Sequence, residues 1–238
     1  MCGRYATFGP VSVSRHAREA MEQMEVDIIS EINQRDPQYN IAPTQKAPVL
    51  VHGEGGYHVR AYRWGLVPSW AKDLSIGARM INARVEGLLG VTEKPSRAFA
   101  GALKKRRCLV PASGYFEWKG VSPNKQPYFI HDPAGHLLMF AGLWEGWRES
   151  RDAEVVHTYT VITGAPGKVS SAIHDRQPVI LPPDLWEVWM EGPPEEAPAV
   201  LAAVPEADLV YHPVPKAVGN PRSQGPELVE PIALEPGL

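Results

Sequence analysis

The sequence is poor in cysteine and contains no long apolar run. Its 238 residues include only two cysteines, Cys2 and Cys108, too few for the disulfide framework of a small secreted domain. The N-terminus has no apolar signal-like stretch, and no segment reaches the roughly 20 apolar residues that cross a bilayer. We therefore expect a cytoplasmic protein in a reducing compartment, nucleoid-associated if bacterial, with no membrane partner.

Several motifs with well-defined chemistry are also missing from the chain. We find no glycine-rich phosphate loop, dinucleotide fingerprint, zinc-ligand spacing or internal repeat. His52 and His58 flank a glycine-rich turn, but they have no further ligands at a metal-binding spacing. The sequence therefore predicts neither a metal site nor a cofactor.

The overall composition is that of an ordinary globular protein, with 44% hydrophobic and 21% charged residues. The net charge of -3 is unevenly distributed, because residues 1–130 carry +7 and residues 131–238 carry -10. A basic N-terminal half can present an anion-binding face. Charge spread over a solvated surface explains the same numbers, so composition alone leaves both interpretations open.

The most unusual chemical feature is Cys2, which directly follows Met1. An aminopeptidase that trims Met before a small residue would give Cys2 a free α-amine beside its thiol. With pKa values of ~8 and ~8.5, both groups are partly nucleophilic near neutral pH. Such a 1,2-aminothiol can form an imine with an aldehyde and then close a thiazolidine ring. Considered alone, Cys2 is better explained as an accident of the start site or as a small apolar residue in a strand, and only the rest of the sequence favours the chemical role.

Three polar residues stand in contexts that suit acid–base chemistry. Glu117 lies between Phe116 and Trp118, where desolvation would raise the pKa of its carboxyl, although strand alternation also allows it to face solvent. Asn82 follows an apolar pair and is explained equally well as a helix N-cap. His174 precedes a strand and could transfer protons near pH 7, or could simply be satisfied by local hydrogen bonds.

Hydrophobic periodicity predicts a mixture of helices and strands. We expect a helix over residues 13–24 capped by Ser12, a β-hairpin over 47–65, and a helix over 96–105. Residues 108–118 read as an apolar strand, and three strands between 127 and 164 read as an antiparallel meander. Helices over 183–190 and 197–204 and a strand over 209–214 complete a single domain, and the proline-rich residues 215–238 are predicted to be a mobile tail.

Taken in order, seven short segments resemble the SOS-response-associated peptidase (SRAP) family, whose members are also described as abasic-site processing proteins. The resemblance spans about residues 2–214, and the ordered set is far more specific than any one segment. The segments are Cys2-Gly3-Arg4-Tyr5, Asn40-Ile41-Ala42-Pro43-Thr44, Trp64-Gly65-Leu66-Val67-Pro68, Asn82-Ala83-Arg84-Val85-Glu86, Arg107 to Trp118, Ala141-Gly142-Leu143-Trp144-Glu145 and Ile173-His174-Asp175-Arg176.

The resemblance implies an α+β fold with a largely antiparallel, partly barrelled sheet, peripheral helices and a basic cleft. It also implies an enzyme that captures abasic sites in single-stranded DNA through mature Cys2. Junctions between single-stranded and double-stranded DNA would be a further partner. Lyase-type chemistry at the abasic site would be a further activity. Asn82 would hydrogen-bond near the thiol and the sugar. Glu117 would act as the acid and base, and His174 would assist its proton transfers. We expect a monomer.

The resemblance also implies DNA contacts outside this catalytic group. Arg4 and Arg84 would hold the flanking phosphates, and Arg176 is predicted to contribute to the same surface. Pro43 and Trp70 would line the cleft or stack on a base, since stacking on an aromatic ring is worth ~1–3 kcal/mol.

The sequence departs from the family pattern at Gln177, where a methionine is expected before Pro178. Two other functions remain compatible with the residues. The first is a thiol peptidase or amidohydrolase that uses the same N-terminal cysteine and removes Met1 from itself. The second is a non-covalent binder of single-stranded DNA.

Overall fold

The structure, a computed structural model, describes residues 2–91 and 96–234 of the 238-residue chain. Twelve strands and six α-helices are assigned within these residues. The strands are β1 Tyr5–Thr7, β2 Gln38–Ile41, β3 Lys46–Gly53, β4 Gly56–Trp64, β5 Asn82–Arg84, β6 Arg107–Ala112, β7 Gly114–Lys119, β8 Gln126–His131, β9 Leu138–Trp147, β10 Val156–Gly164, β11 Gln177–Pro178 and β12 Val210–Pro213. The α-helices are α1 Arg15–Gln23, α2 Ile28–Asn33, α3 Val85–Leu89, α4 Arg97–Lys105, α5 Trp186–Glu191 and α6 Ala197–Ala203.

Five strands close into a small barrel. The hydrogen-bonded order is β10-β4-β3-β6-β9, and β9 pairs again with β10 to complete the ring. All of these pairings are antiparallel except β4 with β10. The short strands β5 and β11 add to β10 from outside the ring. The predicted α+β fold with a largely antiparallel and partly barrelled sheet is confirmed.

A second, fully antiparallel sheet has the order β12-β8-β7-β1-β2 and places the N-terminal strand β1 in its interior. It joins the barrel through Ser113, where the chain passes from β6 into β7. The single strand predicted over residues 108–118 is therefore two strands in two sheets. Every residue of both segments up to Glu117 is buried apart from Ser113. Because burial is nearly continuous, the sequence pattern does not show where one strand ends and the next begins.

The predicted meander is only partly right. Strands β9 and β10 form the expected antiparallel pair, with Trp147 opposite Val156, but β8 pairs with β7 and β12 instead of β9. The prediction assumed that strands adjacent in the sequence pair with each other. Here the chain passes from the second sheet to the barrel between residues 132 and 137, so β8 and β9 do not pair. Nothing in the local strand pattern signals that change of sheet.

The helices agree with the prediction at their centres and differ at their ends. Helix α1 packs Ala17, Ala20 and Met21 into the core, but its cap is Ser14, whose Oγ accepts the Ala17 N–H at 3.1 Å. The helix predicted over residues 183–190 begins as a 3₁₀ turn, Pro183–Leu185, before α5. None of the helices among the described residues is both long and apolar enough to cross a membrane.

Residues 215–234 pack against the domain, whereas the sequence predicted a mobile tail. Two 3₁₀ turns, Lys216–Gly219 and Pro226–Leu228, shape the segment. Val218 and Leu228 are almost completely buried with Phe116, and the Ile232 N–H bonds to Pro213 O at 3.0 Å. The high proline content masked these apolar anchors, each of which is worth about 1.5–3 kcal/mol when fully buried.

Candidate functional site

Cys2 lies at the entrance to β1, between the second sheet and the barrel. Its side chain is fully buried in a cluster that includes Tyr5, Trp64 and Tyr159. Its Sγ lies 3.8 Å from the carbonyl oxygen of Arg4. Burial raises the pKa of the Cys2 thiol, and the negative charge of Glu117 raises it further. The thiol is therefore protonated at neutral pH, and any reaction of the sulfur needs a base that can remove this proton.

Asn82 faces Cys2 from the first position of β5, which runs parallel to β10 with Asn82 opposite Val161. Its Nδ2 donates to Cys2 O at 2.8 Å. A carbonyl can only accept, so this bond fixes the orientation of the amide. The Oδ1 is then buried with no partner among the described residues and is available to accept a hydrogen bond. The alternative of a helix cap is wrong, because the cap of α3 is Arg84.

Glu117 enters the site from β7, where it is paired with Tyr128 and only 3% exposed. The alternative of an outward-facing strand residue is therefore wrong. Burial raises the pKa of its carboxyl to about 7. A carboxyl that is half protonated near neutral pH can both donate and accept a proton, which suits the role predicted for it.

His174 approaches Glu117 from the loop before β11, with its Nε2 3.8 Å from Glu117 Oε2. Burial lowers the pKa of the imidazole, so the neutral form prevails at pH 7. Its Nδ1 lies 2.8 Å from Asp175 Oδ1 and 3.1 Å from the Arg176 backbone N–H. A protonated Nδ1 can donate to the carboxylate and an unprotonated one can accept from the amide. Both tautomers are thus supported, and Nε2 can either give or take a proton beside Glu117.

The loop that carries His174 is held at both ends. The hydroxyls of Tyr115 and Ser170 are 2.6 Å apart, and the His174 N–H donates to Ser170 O at 2.8 Å. At the other end, both Nη atoms of Arg176 bond to the Glu86 carboxylate, at 2.6 and 2.9 Å. These contacts fix His174 relative to β7, the strand that also carries Glu117.

Arg176 was predicted to contact DNA, but the structure gives its guanidinium internal partners. Besides the two bonds to Glu86, Nη2 donates to Thr163 O at 2.8 Å. Its side chain is only 14% exposed. Two carboxylate oxygens and a backbone carbonyl accept from three of its five N–H donors, and these contacts support a role in anchoring the loop.

The other residues predicted to contact DNA differ in how far their side chains are exposed to solvent. Arg4 is half-buried just before β1, and Arg84 is exposed two residues after Asn82 on the same strand. Residues i and i+2 of a strand share a face, so Arg84 projects from the side that carries Asn82. Pro43 is half-buried in the loop after β2. Trp70 is 64% exposed in the turn after β4, and is therefore free to stack on a ligand.

Trp64 and Trp70 differ in their exposure to solvent. Trp64 is fully buried, its ring lies nearly parallel to Tyr159, and its Nε1 donates to Ile81 O at 2.8 Å. It is a core residue that fixes the segment leading to Asn82. Trp70 is the exposed member of the pair.

Sequence reasoning missed Lys125, which stands in the turn between β7 and β8. Burial has the largest effect on both Glu117 and His174: it raises the pKa of Glu117 and lowers the pKa of His174. The positive charge of Lys125 has a smaller effect and lowers the pKa of both. The side chain is exposed, so it adds a cation beside the acid–base pair. A single lysine in a polar turn carries no sequence signal that distinguishes it from any other surface lysine.

Comparison with known protein families identifies the family of this chain. The sequence profile described as SOS response associated peptidase (SRAP) matches residues 1–221. This chain belongs to the SRAP family. Among its relatives, the Bacillus subtilis abasic site processing protein YoqW is 34% identical over 97% of this chain and 99% of its own. The Escherichia coli abasic site processing protein YedK is 32% identical over 98% of this chain and 100% of its own.

The chain is also similar to a vertebrate protein and to solved structures. The Xenopus tropicalis abasic site processing protein HMCES is 32% identical over 83% of this chain and 67% of its own. A crystal structure of a Bacteroides thetaiotaomicron protein superposes with a TM-score of 0.74 at 21% identity, covering 98% of this chain and 100% of that one. A phage-related protein from Bordetella bronchiseptica gives a TM-score of 0.64 at 29% identity, covering 90% and 94%. The SRAP profile therefore spans residues 1–221, and the fold of the Bacteroides protein extends over 98% of the chain.

Proposed function

We propose that this protein processes abasic sites in single-stranded DNA by forming a covalent thiazolidine through the amine and thiol of mature Cys2. The observation that carries the proposal is the arrangement around Cys2, with Asn82 bonded to its carbonyl at 2.8 Å and the Glu117–His174 pair converging on the same region. The names of the SRAP relatives, abasic site processing proteins, support the same substrate.

The first stage is imine formation. The ring-opened abasic sugar presents an aldehyde, and the neutral amine of Cys2 adds to its carbon. The resulting carbinolamine loses water when an acid protonates the departing hydroxyl. Glu117 can supply that proton because its carboxyl has a pKa of about 7, and the same proton can help to open the sugar ring beforehand.

The second stage closes the ring. The Cys2 sulfur adds to the imine carbon, the S–H proton leaves, and the imine nitrogen gains a proton. The balance is one aldehyde and one aminothiol giving one thiazolidine and one water, with no oxidant or reductant. Since burial keeps the thiol protonated, Glu117 must accept the proton, either directly or through His174. The chain described here still carries Met1, so Met1 must be removed before the amine of Cys2 is available.

A DNA surface around this centre would use Arg4 and Arg84 for phosphates and Trp70 for stacking. Arginine suits phosphate because its planar fork donates two parallel charge-assisted hydrogen bonds. Exposed Lys125 adds a further cation near Glu117 and His174. Single-stranded DNA fits such a surface, since an unpaired abasic sugar can approach a buried residue without first being displaced from a duplex.

A thiol peptidase using Cys2 is less well supported. Such an enzyme needs a thiolate, which requires a lowered pKa at the nucleophile. Burial and the charge of Glu117 both raise the pKa of the Cys2 thiol. Imine chemistry avoids this obstacle because its first nucleophile is the amine.

The test is a denaturing gel after incubation with a single-stranded oligonucleotide that contains one abasic site. Protein shown by intact mass to begin at Cys2 should give a shifted band that survives heat without any reductant. An oligonucleotide whose abasic aldehyde has been reduced to an alcohol is the matched control and should give no band. Equal bands with both oligonucleotides, or turnover of peptides without any band, would overturn the proposal.

A further inference from the structure

The guanidinium of Arg4 is held by two acceptors from distant parts of the chain. Its Nη1 donates to Asn40 Oδ1 at 2.9 Å and to Val218 O at 2.8 Å. Both hydrogens of Nη1 are therefore used. Nε is buried with no partner in the part of the chain that the structure describes. No hydrogen bond of Nη2 is found among the described residues, so Nη2 is the guanidinium nitrogen left for a ligand, and it can donate a charge-assisted hydrogen bond to a phosphate.

Asn40 connects Arg4 to the C-terminal segment. It is fully buried, and its Nδ2 donates to Asn220 O and to Ser223 O, each at 2.9 Å. Its own backbone carbonyl accepts from Gln224 Nε2 at 3.0 Å. Because both backbone carbonyls can only accept, the amide has one possible orientation, and its Oδ1 must face Arg4. We call residues 218–224 together with Asn40 the C-terminal clasp.

The clasp has its own anchors. Val218 is completely buried beside Phe116 and Leu228, and Gln45 Nε2 contacts Pro221 O at 3.3 Å. The acceptors that residues 218–224 offer to Arg4 and Asn40 are backbone carbonyls. Their positions therefore depend on the path of the segment and little on its side chains. A proline-rich segment far from the site in sequence therefore determines the direction of the Arg4 side chain.

We infer that Asn40 is a positioning residue which, together with residues 218–224, holds Arg4 so that its Nη2 faces a phosphate of the bound strand. This inference rests on the proposed function only in taking DNA as the ligand and does not depend on the reaction of Cys2. An arginine that is already ordered loses less side-chain entropy when it binds. Immobilising a side chain of this kind weakens binding by about two- to tenfold, which sets the size of the effect.

A double-mutant cycle tests the inference with the full-length chain. The equilibrium affinity for an intact single-stranded oligonucleotide, which has no aldehyde, is measured for the wild type, Arg4→Ala, Asn40→Ala and the double variant. Asn40→Ala should weaken binding about two- to tenfold when Arg4 is present and leave it unchanged when Arg4 is absent. A purely structural effect of Asn40 would weaken both backgrounds equally, and that result would overturn the inference.

Gln38→Ala provides the matched control on the same strand. Gln38 also makes a side chain–backbone bond, from Nε2 to Lys46 O at 3.0 Å, but it does not contact Arg4. Its loss should leave DNA affinity unchanged. If Asn40→Ala does not fold, Gln224→Ala replaces it, because that exposed residue loosens the clasp without creating a buried cavity. A smaller weakening, again confined to the background with Arg4, supports the inference, and equal weakening in both backgrounds overturns it.

The outcome is separable from that of the proposed function. If abasic cross-links form normally and Arg4→Ala binds intact DNA as tightly as the wild type, the phosphate contact of Arg4 and the positioning role of Asn40 both fail, whereas the covalent mechanism stands. If the cycle shows coupling while no cross-link forms at abasic sites, only the covalent mechanism fails.

Discussion

The buried carboxyl of Glu117 makes a prediction that can be checked without DNA. Its side chain is 3% exposed, and burial moves its pKa from the ordinary value of 4.5 to about 7. Glutamine has the same shape as the protonated acid and cannot ionise. Glu117→Gln should therefore preserve the low-pH state of the site at every pH.

The magnitude follows from linkage between protonation and folding. Between pH 4.5 and about 7 the folded protein keeps a proton on Glu117 that the unfolded chain has already lost. The free energy of unfolding therefore falls as the pH rises through this window. At 1.36 kcal/mol for each pH unit, the full loss is about 3 kcal/mol above pH 7. Glu117→Gln should match the wild type near pH 4.5 and exceed it by up to about 3 kcal/mol at pH 8.5.

Urea denaturation of both proteins at several values between pH 4.5 and 8.5 measures this difference directly. Titrating groups that do not interact with Glu117 are common to the two proteins and cancel. Glu145→Gln is the control, because Glu145 is also buried but bonds to Arg106 Nη2 at 2.6 Å. That variant should be less stable than the wild type, since it removes the partner of a partly buried cation. Parallel curves for the wild type and Glu117→Gln across the whole range would refute the reasoning about burial.

Three further predictions concern other parts of the site. Cys2→Ala should abolish the heat-stable cross-link to abasic DNA while leaving affinity for intact single-stranded DNA unchanged, as measured by gel and by fluorescence anisotropy. Arg176→Ala should lower the free energy of unfolding by about 1.5–3 kcal/mol, because it removes the bonds to Glu86 and Thr163 O. Arg176→Lys should not restore this stability, because lysine cannot form the bidentate pair. Trp70→Ala should change the unfolding free energy by less than about 0.5 kcal/mol but weaken single-strand binding about five- to 150-fold, and unchanged binding would exclude stacking at Trp70.

The sequence was informative wherever a rule depends on neighbours in the chain. The hairpin of β3 and β4 and the apolar face of α1 follow from periodicity, and both are present. The pairing of β8 with β12 depends on residues 79 to 85 positions apart, and no local pattern encodes it. The burial of Val218 likewise depends on Phe116 across the second sheet, so composition alone suggested a tail instead of a clasp.

The same division applies to the candidate site. The residue types at Cys2, Glu117 and His174 suggested chemistry because each is unusual in its local context. Arg176 and Asn40 could not be assigned in this way, since their roles depend on partners that folding supplies. The carboxylate of Glu86 binds the guanidinium of Arg176, and Asn220 O accepts a hydrogen bond from Asn40 Nδ2.

A chain terminus is usually the least ordered part of a domain, yet the proposed chemistry requires a terminal residue to be held as firmly as a core side chain. The interior position of β1, between β2 and β7, meets this requirement. The burial that provides the order also raises the pKa of the Cys2 thiol and so disfavours thiolate attack. An aminothiol is suited to such a place because its amine can react first, and the sulfur then needs to add only to a carbon that is already bound. The buried carboxyl of Glu117, with its pKa near neutrality, supplies the proton transfers that this order of events demands.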